Sequence, residues 1–395
     1  MRVLILHQHF NTPAKGGPLR SYYLAQSLVD FGFEPVVLTI HNEDRYRIEN
    51  LNGIEIHYLP IPYDNSFSFF KRSVSFLRYV IAVIQMSTKL RHIKICYAIS
   101  TPLTVGLAAL YVKRRWRIPY IFEVGDLWPD APIDLGYVKN ILLKKSLLNL
   151  EKKIYQNASS IVALSTAIKE TIERKVAGKK MHLIPNMADV DYYKPVSKPA
   201  ELIKKFEVEG KFVITYCGAL GAANGLEHIL RCALESQEHN LPAKFLICGE
   251  GAVKVSLMER ASQMQLQNVS FIPFQTREGV RDILNVSDAV MISYKPFAVL
   301  ETGSPNKYFD GLAAGKMIIT NFGGWIGKEI QEERCGIVID QKLQSEFPRL
   351  IQPFIENSSL LVEYQQASRK LAQAKYARRK LSERFVEAIQ EVLSR

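Results

Sequence analysis

Short apolar runs rich in branched side chains recur along the chain, with segments of helical periodicity between them. In the first half they are Val3–Leu6, Pro35–Ile40, Ile54–Tyr58, Lys94–Ile99, Pro119–Glu123 and Ser160–Leu164. Continuous rather than alternating apolar runs mark strands buried on both faces, and their alternation with helices predicts parallel βαβ units. After Asn186 the polar, proline-closed stretch Met187-Ala188-Asp189-Val190-Asp191-Tyr192-Tyr193-Lys194-Pro195 interrupts the pattern, which then restarts with Phe212–Cys217, Lys244–Cys248, Val269–Ile272, Ala289–Ser293, Met317–Thr320 and Gly336–Ile339. The expected architecture is α/β, two doubly wound Rossmann-like domains facing a cleft. Residues 1–186 form the first domain, 187–200 a linker and 201–370 the second domain, with charged helices over 371–395 crossing back to the first.

Composition narrows the class. A chain of 395 residues with 47% hydrophobic and 23% charged residues is too long for one ordinary core and unlike disordered or fibrous sequences. The five cysteines, Cys96, Cys217, Cys232, Cys248 and Cys335, are odd in number and mostly inside apolar runs, so neither a disulfide framework nor a zinc pattern assembles from them. A reducing cytoplasm is expected. Met1–Phe10 lacks the features of an export signal, and the longest apolar stretches fall short of the roughly 20 residues a spanning helix needs. The net charge of +12 is unevenly placed, residues 1–195 holding 26 Lys+Arg against 16 Asp+Glu. That half should meet something anionic: nucleic acid, an acidic membrane or a phosphorylated substrate. No nucleic-acid motif accompanies the charge.

In open α/β sheets ligands sit beyond the carboxyl ends of strands, so the loops there are the ones to read, and with two such domains the ligand is expected between them. The first strand runs through His7, His9, Gly16-Gly17 and Arg20 into a helix, an arrangement suited to an anion or a sugar, or to a plain turn. The segments Gly218-Ala219-Leu220-Gly221-Ala222-Ala223-Asn224-Gly225 and Gly249-Glu250-Gly251 each follow a strand and leave the backbone bare for a diphosphate, with Lys254 on the next helical turn. Glu301 and Asp310 flank Gly303-Ser304-Pro305-Asn306-Lys307 and offer acceptors for sugar hydroxyls; helix-surface carboxylates are the plain alternative.

The order of these loops, together with Ala313-Ala314-Gly315-Lys316, resembles the retaining nucleotide-sugar glycosyltransferases of family four, and Pro185–Pro195 resembles that family's interdomain signature. The likeness spans most of the chain. Gly125-Asp126-Leu127-Trp128-Pro129-Asp130 is similar to members that build bacterial O-antigen and capsular polysaccharide, N-acetylfucosamine transferases among them. The resemblance implies the GT-B fold and transfer of a sugar from a UDP-linked donor to a lipid-linked (polyprenyl diphosphate) glycan with retention, without metal or other cofactor. It implies donor binding by Gly17, Gly218, Gly221, Asn224, Gly249, Gly251, Lys254, Gly303, Ser304, Lys307 and Asp310, with Arg277 as a further cation near phosphate. Asp126 and Glu301 become the catalytic candidates, and Gly16, Arg20, Trp128 and His9 the acceptor side. Asp189-Val190-Asp191 falls in the linker signature and is therefore not read as a metal site. The family pairs two acidic residues eight positions apart, whereas Glu301 and Asp310 are nine apart. A non-hydrolysing nucleotide-sugar epimerase and a noncatalytic subunit of an assembly complex remain alternatives.

Two stretches bear on a membrane. From Ser66 onward Phe70, Val74, Leu77, Ile81 and Ile84 share a helical stripe beside Phe67, Phe69, Lys71, Arg72 and Arg78. A second helix over 138–155 combines Leu143, Leu147, Leu150 and Ile154 with Lys144, Lys145, Lys152 and Lys153. Both suit docking on the anionic inner face of the cytoplasmic membrane, and both equally suit packing on their own sheet.

Overall fold

The structure is a computed structural model that describes residues 1–64 and 67–394; Asn65, Ser66, Arg395 and the side chains of Phe69 and Gln344 lie outside the described residues. The chain forms two compact units. The first holds Met1–Pro185, Thr302–Ser304 and the chain from Arg379 onward, the second Asn186–Glu301 and Pro305–Arg378.

In the first unit the strands are β1 (Arg2–Leu6), β2 (Glu34–His41), β3 (Arg47–Leu51), β4 (Ile54–Pro60), β5 (Ile93–Ile99), β6 (Tyr120–Val124), β7 (Ser160–Ala163) and β8 (Met181–Leu183). They pair in the order β3-β4-β2-β1-β5-β6-β7-β8, all parallel except β3, which runs antiparallel to β4. The sequence reading missed β3 because it is a mostly exposed edge strand, Arg-Ile-Glu-Asn-Leu, with no apolar run to announce it. The second unit holds β9 (Phe212–Cys217), β10 (Ala243–Cys248), β11 (Val269–Ile272), β12 (Ala289–Ile292), β13 (Met317–Thr320) and β14 (Gly336–Val338), paired as β11-β10-β9-β12-β13-β14 and all parallel. This is the doubly wound Rossmann order, reversing direction between β9 and β12, as the first sheet does between β1 and β5. Ligands of such sheets bind at the carboxyl ends beside that reversal, because there the helices diverge and leave a crevice.

Burial follows the apolar runs. Val3, Leu4, Ile5, Leu6, Val37, Leu38, Ile121 and Phe122 are at most 1% exposed, as are Val213, Phe245, Ile247, Ile318 and Ile319 in the second sheet. Each such side chain contributes roughly 1.5–3 kcal/mol relative to exposure. All five cysteines are free thiols.

One part of the expected domain plan changes. Residues 187–200 are not a tether but part of the second unit: Ala188 N donates to Tyr376 O at 2.8 Å, Arg378 N returns a bond to Ala188 O at 3.0 Å, and Ala188 and Tyr193 are buried. Its aromatic and small residues have a core to enter. In the tail, a helix Ser358–Leu371 runs on through a π-helical turn at Ala372–Tyr376 into the helix Arg378–Leu393. Most of that last helix belongs to the first unit, where Phe385 meets Tyr97 edge to face at 4.7 Å.

Candidate functional site

In the second unit the loops after β9 and β10 are zipped together. Gly218 N donates to Cys248 O at 2.9 Å, and Leu220 N to Glu250 O at 2.8 Å. A Cβ on Gly249 would stand 1.9 Å from Gly218 O, and one on Gly251 2.4 Å from Leu220 O. Backbone meets backbone, so neither position admits a side chain. The two loops form one bare surface at the carboxyl edge beside the reversal.

Lys307 overhangs that surface. It lies in the first turn of the helix Asn306–Ala313, and its Nζ donates to Tyr216 Oη at 3.1 Å and stands 4.4 Å over the Tyr216 ring. Burial lowers its pKa to about 8, and among the described residues it forms no ion pair with a carboxylate. One turn on, the half-buried Asp310 has its pKa raised to about 7 by burial, opposed by Arg277. An unneutralised cation over bare amides, with an acceptor carboxylate one turn away, matches a diphosphate joined to a hydroxylated sugar. Glu301, in the short 3₁₀ turn Ala298–Thr302, neighbours Gly323 and Gly324, and burial raises its pKa.

Several residues assigned to the donor from sequence have other partners. Asn224 spends its amide on Ala219 O at 2.8 Å, closing the glycine turn from within. Lys254 pairs with Glu250 at 2.6 Å, four residues back in the loop before its helix. Arg277 is ion-paired with the buried Asp189 and stacked 3.6 Å over Tyr192. Asp189 therefore serves that arginine within the second unit. Gly303 and Ser304 group with the first unit.

The first unit has its own cluster at the ends of β1 and β6. His7 Nδ1 bonds Ser21 Oγ at 2.8 Å, and burial, helped by His9, lowers its pKa to about 3; burial lowers that of His9 to about 4. Both rings are neutral at pH 7. His9 meets Tyr63 at 4.4 Å, Tyr63 stacks on Phe76 at 5.8 Å, and Phe76 meets Trp128 edge-on at 6.5 Å. The two acceptor-side aromatics are thus ends of one row whose middle members, Tyr63 and Phe76, carry no sequence signal because tertiary packing alone brings them there. Asp126 is exposed after β6; it accepts from Thr101 Oγ1 at 3.4 Å, and crowding by the chain lifts its pKa.

Arg20 departs from its expected acceptor role. Its guanidinium is nearly buried, forks onto the Glu123 carboxylate at 2.8–3.1 Å and donates to Ile184 O at 2.9 Å and Pro185 O at 2.5 Å. Four of its five N–H donors are engaged in that set. Gly16 and Gly17 do not open the helix either, which begins at Arg20. Asp130 pairs with Lys175, which also holds the buried Glu151 at 2.8 Å, and Pro129 occupies the helix N-cap.

The proposed membrane stripe points away from the sheet. Ser75, Tyr79, Val80 and Val83 are the buried face of the helix Phe69–Ser87, with Tyr79 Oη bonded to Leu38 O at 2.7 Å, while Phe70, Val74, Leu77 and Ile81 are exposed. On the helix Ile141–Asn157, Ile154 is buried and Ile141, Leu142, Leu143 and Leu148 are exposed. Among the described residues no helix is long and apolar enough to cross a membrane.

Residues 16–187 match the family described as Glycosyl transferase 4-like domain, and residues 197–371 that described as Glycosyl transferases group 1. Sucrose-phosphate synthase from Thermosynechococcus elongatus shares the fold with a TM-score of 0.80 at 14% identity, over 100% of this chain and 99% of that one. HepE of Anabaena, solved in complex with UDP-glucose, scores 0.71 at 14% identity, over 99% and 100%. The fold is thus that of the GT-B glycosyltransferases, and the chain belongs to glycosyltransferase family 4. It is 24% identical over 202 residues to WcaI of Escherichia coli strain K12, named as a glycosyl transferase of colanic acid biosynthesis. That match spans 49% of this chain and about half the length of the relative, 49%.

Proposed function

We propose that this glycosyltransferase moves a sugar, an acetamido-deoxy hexose included, from a UDP-linked donor to a lipid-linked diphosphate glycan with retention, in surface polysaccharide assembly. The observation that carries the donor reading is the unpaired, desolvated Lys307 ammonium over the Gly218–Gly251 surface. A half-buried cation without a counterion is costly, and a diphosphate restores the balance. Support comes from HepE, whose structure holds UDP-glucose, and from WcaI, named for colanic acid biosynthesis.

In this reading the donor diphosphate lies along the amides of Gly218, Gly221, Gly249 and Gly251. Lys307 supplies the charge that a metal supplies in other transferases. Asp310, ionised, accepts the ribose hydroxyls and Glu301 those of the transferred sugar. As the glycosidic bond breaks, negative charge grows on the β-phosphate, and Lys307 stabilises it where it develops. The acceptor hydroxyl adds on the same face; its proton passes to the departing phosphate, with Asp126 orienting that hydroxyl. Gly16, His9 and Trp128 form the acceptor side, the Trp128–His9 row giving a stacking surface for sugar rings.

The exposed apolar and basic helices of the first unit support docking on the anionic inner face of the cytoplasmic membrane, as a lipid-linked acceptor would require. The test is acceptor-dependent release of UDP from a panel of UDP-sugars with membrane lipid extract, with the product anomer read by NMR. Sugar isomerisation without acceptor, or binding without turnover, rejects the reading.

A further inference from the structure

The helices Phe69–Ser87, Val105–Trp116 and Ile141–Asn157 form one layer of the first unit, the middle one packed against both others. Side-chain bonds fasten each flank: Trp116 Nε1 donates to Ser87 Oγ at 3.2 Å, and Lys113 Nζ to Asn157 O at 2.6 Å. Large apolar residues on the outer helices stand in solvent, Phe70 at 78% and Leu142 at 74% exposure. Between the middle and third helices lies a surface groove of about 450 Å³, floored by Leu107, Leu110, Tyr111 and Leu150 and rimmed by Arg114, Arg115 and Lys153.

The chemistry of this groove is one-sided. No acidic residue lines it, and among the described residues none of its three rim cations forms an ion pair. Basic residues in the last turn of the helix Val105–Trp116 also answer its dipole, but that effect saturates within one turn and does not explain Lys153 on another helix. An apolar floor under uncompensated cations fits an amphiphile with a hydrocarbon tail and a phosphate head. We propose that the groove seats one acidic phospholipid of the bilayer on which the enzyme docks. The inference rests on the membrane-docked reading above and deepens it from a diffuse surface to a discrete seat. The exposed apolar residues on both flanks enter the same leaflet, bringing the groove to headgroup depth, and each rim cation contributes about fivefold in partitioning to an anionic surface.

The experiment is titration of the full chain with dihexanoyl phosphatidylglycerol kept below micelle formation, so that no bilayer potential exists. Saturable binding at one lipid per chain is expected, weakened at least tenfold in Arg114→Gln/Arg115→Gln and unchanged in Lys328→Gln, an exposed lysine of the second unit. Absence of saturable binding, equal binding of dihexanoyl phosphatidylcholine, or full affinity in the double variant overturns the proposal. Tighter binding of farnesyl diphosphate assigns the groove to the acceptor lipid instead and equally overturns it. UDP affinity, measured on the same samples, should match the parent protein in every variant, which reports on folding. If the parent protein binds the lipid but not UDP, the transferase reading fails while the seat stands.

Discussion

Lys307 and Tyr216 are joined twice, by the hydrogen bond from Nζ to the phenol at 3.1 Å and by the ammonium's position 4.4 Å over the ring. The tyrosine belongs to β9 and the lysine to the helix that starts at Asn306, so the contact fixes a charge over the glycine surface without neutralising it. Lys307→Met should weaken UDP binding about 10- to 100-fold, the loss of one or two charge-assisted bonds. Calorimetric titration checks this, and unaltered affinity would remove Lys307 from the donor site.

Asp310 and Lys307 together set a pH window. Asp310, with its pKa raised to about 7, is the useful carboxylate only above that pH, and Lys307, lowered to about 8, is a cation only below it. UDP affinity should therefore rise through pH 7, peak between 7 and 8, and fall beyond. Asp310→Asn should flatten the acid limb and Lys307→Met the alkaline one. A limb that survives both substitutions belongs to UDP itself.

Asp126 is exposed and held only by a long bond from Thr101, which leaves it available to an incoming hydroxyl. Asp126→Asn should lower kcat by about 100-fold with donor KM nearly constant, the usual size for a proton-handling group. Steady-state kinetics with varied donor and acceptor decide, and a pure rise in donor KM would reassign the residue.

Glu123 is nearly buried, and its carboxylate receives Arg20 and Tyr97 Oη. Glu123→Gln should cost about 3–5 kcal/mol, because it leaves the Arg20 charge buried and unpaired. Urea unfolding should show a lower midpoint for the first unit. A change under about 1 kcal/mol would mean that water reaches the pair.

Gly249→Ala tests the bare surface itself. The added methyl would stand 1.9 Å from Gly218 O, and backbone rather than a flexible side chain must move. UDP binding should fall below detection while circular dichroism keeps its α/β shape. Retained affinity would show that the loops do not face the diphosphate.

The strand runs, the two series of βαβ units and the order of the glycine loops were readable along the chain, since burial on both faces demands continuous apolar residues and a bare turn demands glycine. Asp310 and Lys307 were readable by their place after those loops. Which cations stay free was not. Lys254 and Arg277 are cations beside those loops just as Lys307 is, yet Glu250 and Asp189 pair with them, and Arg20 is claimed by Glu123, 103 residues away. The direction of the Phe70–Ile81 stripe was equally hidden, because periodicity marks an apolar face without saying whether the sheet lies beneath it; Tyr79 and Val83 took that place. Pattern and spacing are local properties of the chain, whereas the pairing of charges and the choice of buried face depend on which distant segments the fold brings into contact.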